Sequence, residues 1–356
     1  MSTKLLRPVF IAGSPRTGTT LMQNCLCQDP EVYRLGRESR FLWHRLNAQE
    51  LTGEFPERLI LEKTYLDELY RELRRPTSRD ITRWARRSAS QGQAVAYLDL
   101  DPEMADKLHR EYPSIARGPF LGQEQGETAP FTCPPMQPVY ASEVEGTIRI
   151  VDKDTGHCWR LSQLAETFPD ACFIFMIRDA ISSVTSIVNG WSHPTWFFTY
   201  RLETALKIRG YSDKFPWGKH WWNFNLFPGW EECTDYSLER LAAIQWEAAM
   251  KPLITTGLEL ATKGRAIFIQ YEKLVENPKD VLNEVATFTG LDSQSISDTQ
   301  LSNHYMQMHP GAQRVKKATA EIFSSVSELG ETLSVLKEIK GSSLVASSCF
   351  KIKGAH

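Results

Sequence analysis

The chain has 356 residues, of which 42% are hydrophobic and 24% are charged, an ordinary composition for a soluble globular protein. The formal net charge of −2 offers no general attraction for nucleic acid or an anionic membrane, so any anion site must be local. No stretch approaches the ~20 apolar residues of a membrane span, and no leader-like segment precedes the first predicted strand. We therefore expect a cytoplasmic protein with neither a nucleic-acid nor a membrane partner.

The cysteines are seven in number, scattered, and contain no Cys-x-x-Cys pair. An odd, dispersed set is typical of reduced thiols that serve packing. The sequence therefore predicts neither a zinc site nor disulfides, and we expect no bound metal.

Short apolar segments, typical of strands buried in a parallel sheet, alternate with helical patterns. The predicted strands are Val9–Ala12, Thr147–Val151, Cys172–Ile177 and Ala266–Ile269. The predicted helices are Leu21–Cys27, Arg160–Thr167, Ile181–Val188, Leu238–Leu260 and Pro278–Thr289. This alternation predicts an α/β fold, a doubly wound parallel sheet with helices on both faces and with ligands at the carboxyl ends of the strands.

Two long segments interrupt the alternation. Residues 45–145 are first charged and helix-prone and then rich in Gly and Pro, whereas residues 190–236 are dense in Trp, Phe and Tyr. Neither segment has an alternation of its own, so both are interpreted as insertions that cap the site and form an acceptor pocket or lid. We predict a single domain over residues 1–345 and a frayed tail over residues 346–356.

The loop after the first strand has the spacing of a phosphate-binding loop. Gly13 and Gly18 match its glycines, and Thr19 and Thr20 stand where a Walker loop has Lys-Ser/Thr. The cation lies inside the loop instead, at Arg16. A Walker loop needs its lysine on the β/γ-phosphates, but backbone N–H groups at a helix N-terminus can still cradle a phosphate without one. The sequence therefore predicts a phosphate site that is not an ordinary ATPase or GTPase.

A second anion site is predicted where the strand at Cys172–Ile177 ends in Arg178. A helix with several serines follows, and a guanidinium fork beside hydroxyl groups suits a phosphate. The ordinary alternative is a strand-end arginine paired with Asp179.

These segments resemble the PAPS-dependent sulfotransferases, which use 3′-phosphoadenosine 5′-phosphosulfate as donor and release PAP. The loop resembles the family's 5′-phosphosulfate loop, and Arg178 with Ser186, eight residues on, resembles its 3′-phosphate motif. Tyr271 begins a segment that resembles the family's Tyr-Glu-x-Leu signature, whose Tyr lies near the nucleotide, and the equal alternative is a packing aromatic at the end of a strand. The resemblance covers roughly residues 8–40, 147–190 and 266–291, leans to the tyrosylprotein type, and implies a P-loop-like sulfotransferase fold. The cofactor-binding residues that it implies are Arg16, Thr17, Gly18, Thr19, Thr20, Arg178, Ser186 and Tyr271.

The same resemblance implies catalytic cations. Lys153 matches the lysine that tyrosylprotein-type enzymes place against the sulfuryl group, where it would neutralise charge on the bridging oxygen. Arg16 would add positive charge around the leaving phosphate. The ordinary alternative for Lys153 is a solvated lysine between two aspartates.

A base is implied by residues 36–40, which resemble a Gly-Glu-Glu-Thr-Arg segment of the tyrosylprotein type and depart from it at the second position. By this match Glu38 takes the proton of the acceptor and Arg40 lies near the site. Cytosolic small-molecule sulfotransferases use a His two residues after the lysine, where this chain has Thr155. His157 is therefore the second-choice base, and a capping or core role is favoured for it.

The acceptor is predicted from the aromatic insertion, in which Gly, Pro, Asn and His break any regular period. Aromatic walls suit a planar or cationic small molecule, so we expect a secondary metabolite, such as a saxitoxin-type guanidinium compound, against Trp196, Trp217 and Trp222. A protein tyrosine is the alternative acceptor, and a P-loop kinase or NTPase is the alternative from another class. The sequence leaves open O- or N-sulfation, the oligomeric state and the role of the basic cluster Arg314–Lys317.

Overall fold

The structure is a computed structural model that describes residues 4–29, 32–34, 39, 94–95, 131–132, 147–192, 198–297, 317, 321, 332–336 and 338–339. The strands are β1 (Lys4–Leu5), β2 (Val9–Gly13), β3 (Val32–Arg34), β4 (Ala94–Val95), β5 (Phe131–Thr132), β6 (Thr147–Lys153), β7 (Cys172–Ile177), β8 (Phe198–Arg201), β9 (Trp221–Asn223) and β10 (Ala266–Gln270). The helices are α1 (Thr19–Leu26), α2 (Leu161–Thr167), α3 (Ala180–Trp191), α4 (Leu238–Pro252), α5 (Leu258–Thr262), α6 (Tyr271–Glu276), α7 (Pro278–Thr289) and α8 (Ser293–Ser297).

The main sheet is parallel in every described pairing, with the order β1-β6-β2-β7-β10 and with β3 also paired to β6. After β2 the chain first forms β3 and β6 on one side of β2, and it then forms β7 and β10 on the other side. The connections therefore diverge at the carboxyl end of β2, and such a switch point is where open α/β sheets bind their ligands.

The two faces of the sheet are packed by different side chains. Aliphatic residues of β2, β7 and β10 on one face form a buried core with α1 and α7. On the other face Phe10 lies 5.6 Å from Phe173 and 5.5 Å from Phe168, measured between ring centroids. Phe175 on the same face packs against Gly257, in the π-turn Leu253–Gly257. Helical segments cover both faces, which confirms the predicted doubly wound α/β fold.

The helix predicted over Leu238–Leu260 is interrupted in the structure. It runs as α4 to Pro252, passes through the π-turn and resumes as α5. Proline has no N–H, so it cannot bond to the carbonyl oxygen of Ala248, four residues back. That oxygen accepts a hydrogen bond from Trp159 Nε1 instead, at 3.1 Å.

The chain divides into two compact units: residues 1–69, 144–184 and 243–356 form one, and residues 70–143 and 185–242 form the other. The first contains the main sheet. The second covers largely the same residues as the two predicted insertions, and the prediction of a single domain stays a prediction.

The described core of the second unit is aromatic. Trp191 lies 4.9 Å from Tyr211 and 5.2 Å from Trp222, and Trp222 lies 5.4 Å from Trp230. Trp222 is completely buried. Its ring packs among these aromatic side chains, and the expectation that it lines an acceptor pocket stays a prediction.

Within the part of the chain that the structure describes, no helix is both long and apolar enough to cross a bilayer.

Candidate functional site

The phosphate loop follows β2 and closes on α1. A side chain at Gly13 would lie 2.6 Å from Thr17 Oγ1 and 2.8 Å from the carbonyl oxygen of Met176. The loop turns because Thr17 Oγ1 donates a hydrogen bond of 2.7 Å to the carbonyl oxygen of Ser14. Gly18 has a φ of 94°, a left-handed conformation that favours glycine. The backbone is therefore shaped into a cradle that only glycine permits at both positions.

The N-terminus of α1 opens into this cradle. Gly18 is its N-cap and supplies no side-chain cap, and the first turn contains no acidic residue. Thr19 is buried, whereas Thr20 is exposed. The first N–H groups of a helix lack intrahelical partners and carry a partial positive charge, so this end of α1 suits an anion.

Two guanidinium groups meet at this loop. Arg178 Nη1 donates a hydrogen bond of 3.0 Å to the carbonyl oxygen of Arg16, and its guanidinium lies 4.4 Å from the ring centroid of Tyr271. Although solvent reaches Arg16, the surrounding protein and then the charge of Arg178 lower the pKa of its guanidinium. Two like charges held together favour an anion between them.

The described residues contain no ion pair between Arg178 and Asp179, which was the alternative role for Arg178. The Asp179 carboxylate accepts a hydrogen bond of 2.8 Å from the backbone N–H of Ser182 and so caps α3. Ser186 lies further along α3 and is half-buried.

Lys153 is the last residue of β6 and lies beside Ile11 of β2, with 4% of its surface exposed. Its neighbours in the sequence are both engaged locally. Asp154 Oδ1 accepts a 2.7 Å hydrogen bond from the N–H of Gly156, and Asp152 Oδ2 lies 3.0 Å from His157 Nε2. The structure thus brings Lys153 to the same sheet edge as the phosphate loop, at the carboxyl ends of the strands.

His157 is completely buried beside Asp152, with its ring edge-on to Phe10 at 5.5 Å. Successive residues of a strand point to opposite faces, so this pair lies on the face of the sheet opposite to Lys153. This placement favours the core role for His157 over the role of base.

Other predicted site residues are described in part or not at all. Glu38, Arg40 and Trp196 lie outside the described residues, and so does most of the cluster Arg314–Lys317. Trp217 lies in the short 3-10 turn Pro216–Lys219. In the described ranges, no group of three His, Cys, Asp or Glu side chains is arranged to hold a metal ion.

One residue of this site was missed by the sequence analysis. Glu272 follows Tyr271, and its Oε1 accepts a 2.8 Å hydrogen bond from the backbone N–H of Asp179. The Tyr-Glu-x-Leu segment contained the only signal for it, because nothing local connects Glu272 to a residue 93 positions earlier.

Comparison with known proteins decides the family. A family model described as "Sulfotransferase family" matches residues 8–225, more than half of the chain. The chain belongs to the sulfotransferase family. This confirms the identification made from the phosphate loop and the Arg178 segment.

A curated relative of this chain is the Gallus gallus protein named Protein-tyrosine sulfotransferase 2. The two are 22% identical over 321 residues, which cover 89% of this chain and 60% of that protein. This chain thus spans about 60% of the length of this relative.

Three solved structures are similar to this chain with TM-scores of 0.42 to 0.43. A sulfotransferase from Alicyclobacillus acidocaldarius is 14% identical, with 92% of this chain and 96% of that chain covered and a TM-score of 0.42. The sulfotransferase domain of the Synechococcus PCC 7002 olefin synthase is 13% identical, with 94% and 96% covered and a TM-score of 0.43. The sulfotransferase domain of the curacin biosynthetic pathway is 14% identical, with 94% and 98% covered and a TM-score of 0.43.

Proposed function

We propose that this sulfotransferase moves the sulfuryl group of PAPS to a hydroxyl or amino group of a small-molecule acceptor, a secondary metabolite. The observation that carries the proposal is the pair of guanidinium groups, Arg16 and Arg178, at a glycine-rich loop without a Walker lysine. PAPS carries anionic groups at both its 3′ and 5′ ends, so it matches two neighbouring anion sites on one sheet.

The two ends of the donor would be held by different elements. The loop Gly13–Gly18 and the N-terminus of α1 would receive the 5′-phosphosulfate, with Thr17, Thr19 and Thr20 alongside. Arg178 and Ser186 would receive the 3′-phosphate, with the Tyr271 ring nearby. This division follows the residues that the sequence resemblance implies, and a hydrogen bond to the carbonyl oxygen of Arg16 holds Arg178 next to the loop.

The chemistry is an in-line displacement at sulfur. The acceptor oxygen or nitrogen forms a bond to sulfur while the bond from sulfur to the bridging oxygen breaks, and PAP leaves with that oxygen. Glu38 is proposed to take the proton of the acceptor, because an in-line step needs a base beside the nucleophile. Lys153 and Arg16 would stabilise the negative charge that develops on PAP. None of these steps needs a metal ion.

Thermal unfolding with four added nucleotides tests the donor. PAP and PAPS should raise the melting temperature without Mg²⁺, and ATP and GTP should do so only weakly. At a hundredfold excess over Kd, bound ligand adds about 2.7 kcal/mol to the stability of the folded protein, an easily detected shift. A strict need for Mg²⁺ together with a preference for ATP would favour a P-loop kinase or NTPase instead.

A second candidate acceptor is a protein tyrosine, and the name of the Gallus gallus relative favours it. Turnover of PAPS should be measured against aromatic and cationic small molecules and, in parallel, against acidic tyrosine peptides. Sulfation of the peptides alone would replace the small-molecule proposal and leave the proposed donor site unchanged.

A further inference from the structure

The junction between β7 and α3 carries Arg178 and is fixed by an unusual cap. Asp179 is the N-cap residue of α3: its carboxylate accepts the N–H of Ser182, and its carbonyl oxygen accepts the N–H of Ser183 at 2.9 Å. In a capping box, a Glu or Gln at the position of Ser182 would reach back to the N–H of the N-cap residue. Serine is too short for this, and Glu272 takes that role from another element.

Glu272 is directed towards this junction by its place in α6. It lies in the first turn of α6, next to Tyr271, and the N-cap residue Gln270 makes no side-chain cap. The only described hydrogen bond of the Glu272 carboxylate is the one to Asp179 N. The first turn of α6 therefore satisfies a backbone N–H of α3 rather than one of its own.

The neighbouring residue holds the other side of Arg178. The Tyr271 ring packs against Gly18, leaving no room for a side chain there, and carries the Arg178 guanidinium on its face. Arg178 is thus restrained at its ring contact, at the carbonyl oxygen of Arg16, and through the peptide that Glu272 fixes. Binding groups must be held within about 0.5 Å of their working position, and a long flexible side chain reaches that only with such support.

We propose that Glu272 is a positioning residue that holds Arg178 for the 3′-phosphate of the donor. It touches neither the reacting atoms nor, in this role, the nucleotide. The inference rests on the proposed function, because the 3′-phosphate is the group that Arg178 would bind. It predicts that Glu272 sets the preference for nucleotides with a 3′-phosphate, and not the affinity for the 5′ end.

Isothermal titration with PAP and with adenosine 5′-phosphate, which lacks the 3′-phosphate, measures this preference as a ratio of two Kd values. In Glu272→Ala the ratio should fall about tenfold, the size of a lost hydrogen bond to a charged group, while the affinity for adenosine 5′-phosphate stays within about twofold. Glu272→Gln keeps an acceptor oxygen in the same place and should restore most of the ratio. Glu276→Ala removes an exposed carboxylate one turn along α6 and is the matched control, with no change expected.

A double-mutant cycle with Arg178→Ala separates positioning from general damage. Once the guanidinium is absent, adding Glu272→Ala should change the ratio no further. The inference would be overturned if Glu272→Ala weakened the binding of PAP and of adenosine 5′-phosphate equally, or if it still changed the ratio in the absence of Arg178. Either result would leave the proposed function standing. A wild-type protein that does not prefer PAP would refute the proposed function itself, and this inference with it.

Discussion

The contact between Gly18 and Tyr271 can be tested with one added methyl group. In Gly18→Ala the new Cβ would lie 2.5 Å from Tyr271 Cδ2, far closer than van der Waals contact, and the backbone would keep a φ of 94°. The Tyr271 ring must therefore move, and Arg178 loses the surface on which its guanidinium rests. We expect both lower stability and weaker binding of PAP.

The magnitude follows from two separable costs. A left-handed alanine costs about 1–2 kcal/mol, of which the stiffer unfolded chain returns about 0.4–1 kcal/mol. Loss of the contact between Arg178 and the aromatic ring adds about 0.5–1 kcal/mol. Gly18→Ala should therefore lower the free energy of unfolding by about 1.5 kcal/mol, and PAP should bind at least about tenfold more weakly because the guanidinium is misplaced.

Gly264→Ala is the matched control. Gly264 has a φ of 69°, but a Cβ there meets no atom within 4 Å, so this change carries the backbone cost alone. Urea denaturation should show a loss of about 1 kcal/mol, and titration with PAP should show no change in Kd. Equal PAP affinities in the two variants would refute the argument that Tyr271 couples the loop to Arg178.

Three further outcomes are expected. Glu38→Gln should lower turnover about 10²–10⁴-fold with little change in PAP affinity. His157→Ala should keep most of the activity per folded molecule, and the reverse result for the two variants would make His157 the base. Arg149→Ala should cost about 2–3 kcal/mol in urea denaturation, because the guanidinium donates to the carbonyl oxygens of residues 7, 289 and 290; a loss below about 0.5 kcal/mol would contradict this. Burial raises the pKa of Cys25 and Cys158 from 9.0 to about 12, so both thiols should resist alkylation at pH 8, as mass spectrometry would show. Because the unfolded chain loses these protons first, the stability that the two thiols contribute should be lost as the pH rises from about 9 towards 12.

The elements predicted best are those whose signal is local. The strand Cys172–Ile177 and the helix Pro278–Thr289 have the same bounds in sequence and structure. The strand is a continuous apolar run, and the helix begins with a proline and ends before Gly290 in the left-handed conformation. By contrast, the strand Val32–Arg34 is three residues long and exists because it pairs with β6, which no local pattern indicates.

A high density of aromatic residues indicates burial, but it does not show whether the rings pack in a protein core or form a lid over a ligand. The sequence predicts a lid from the residues of 190–236 because no regular period runs through them. In the structure the ring of Trp191 contacts Tyr211 at 90° and Trp222 at 78°, as in a packed core. A core built from irregular backbone has the same lack of period as a lid, so sequence alone could not separate the two.

In the candidate site, too, the features with a local sequence signal could be predicted and the others needed the structure. The glycines, Arg16 and Arg178 were found because each lies in a short segment with its own spacing. The choice between an anion site and an ion pair with Asp179 needed the structure, because it depends on where the carboxylate goes. Capping α3 uses that carboxylate, and Glu272 fixes the peptide beside it, so Arg178 is left to face the loop beside a second guanidinium. An anion bound beside both cations would be stabilised by both charges, so the ligand proposed for this loop is multiply charged rather than neutral.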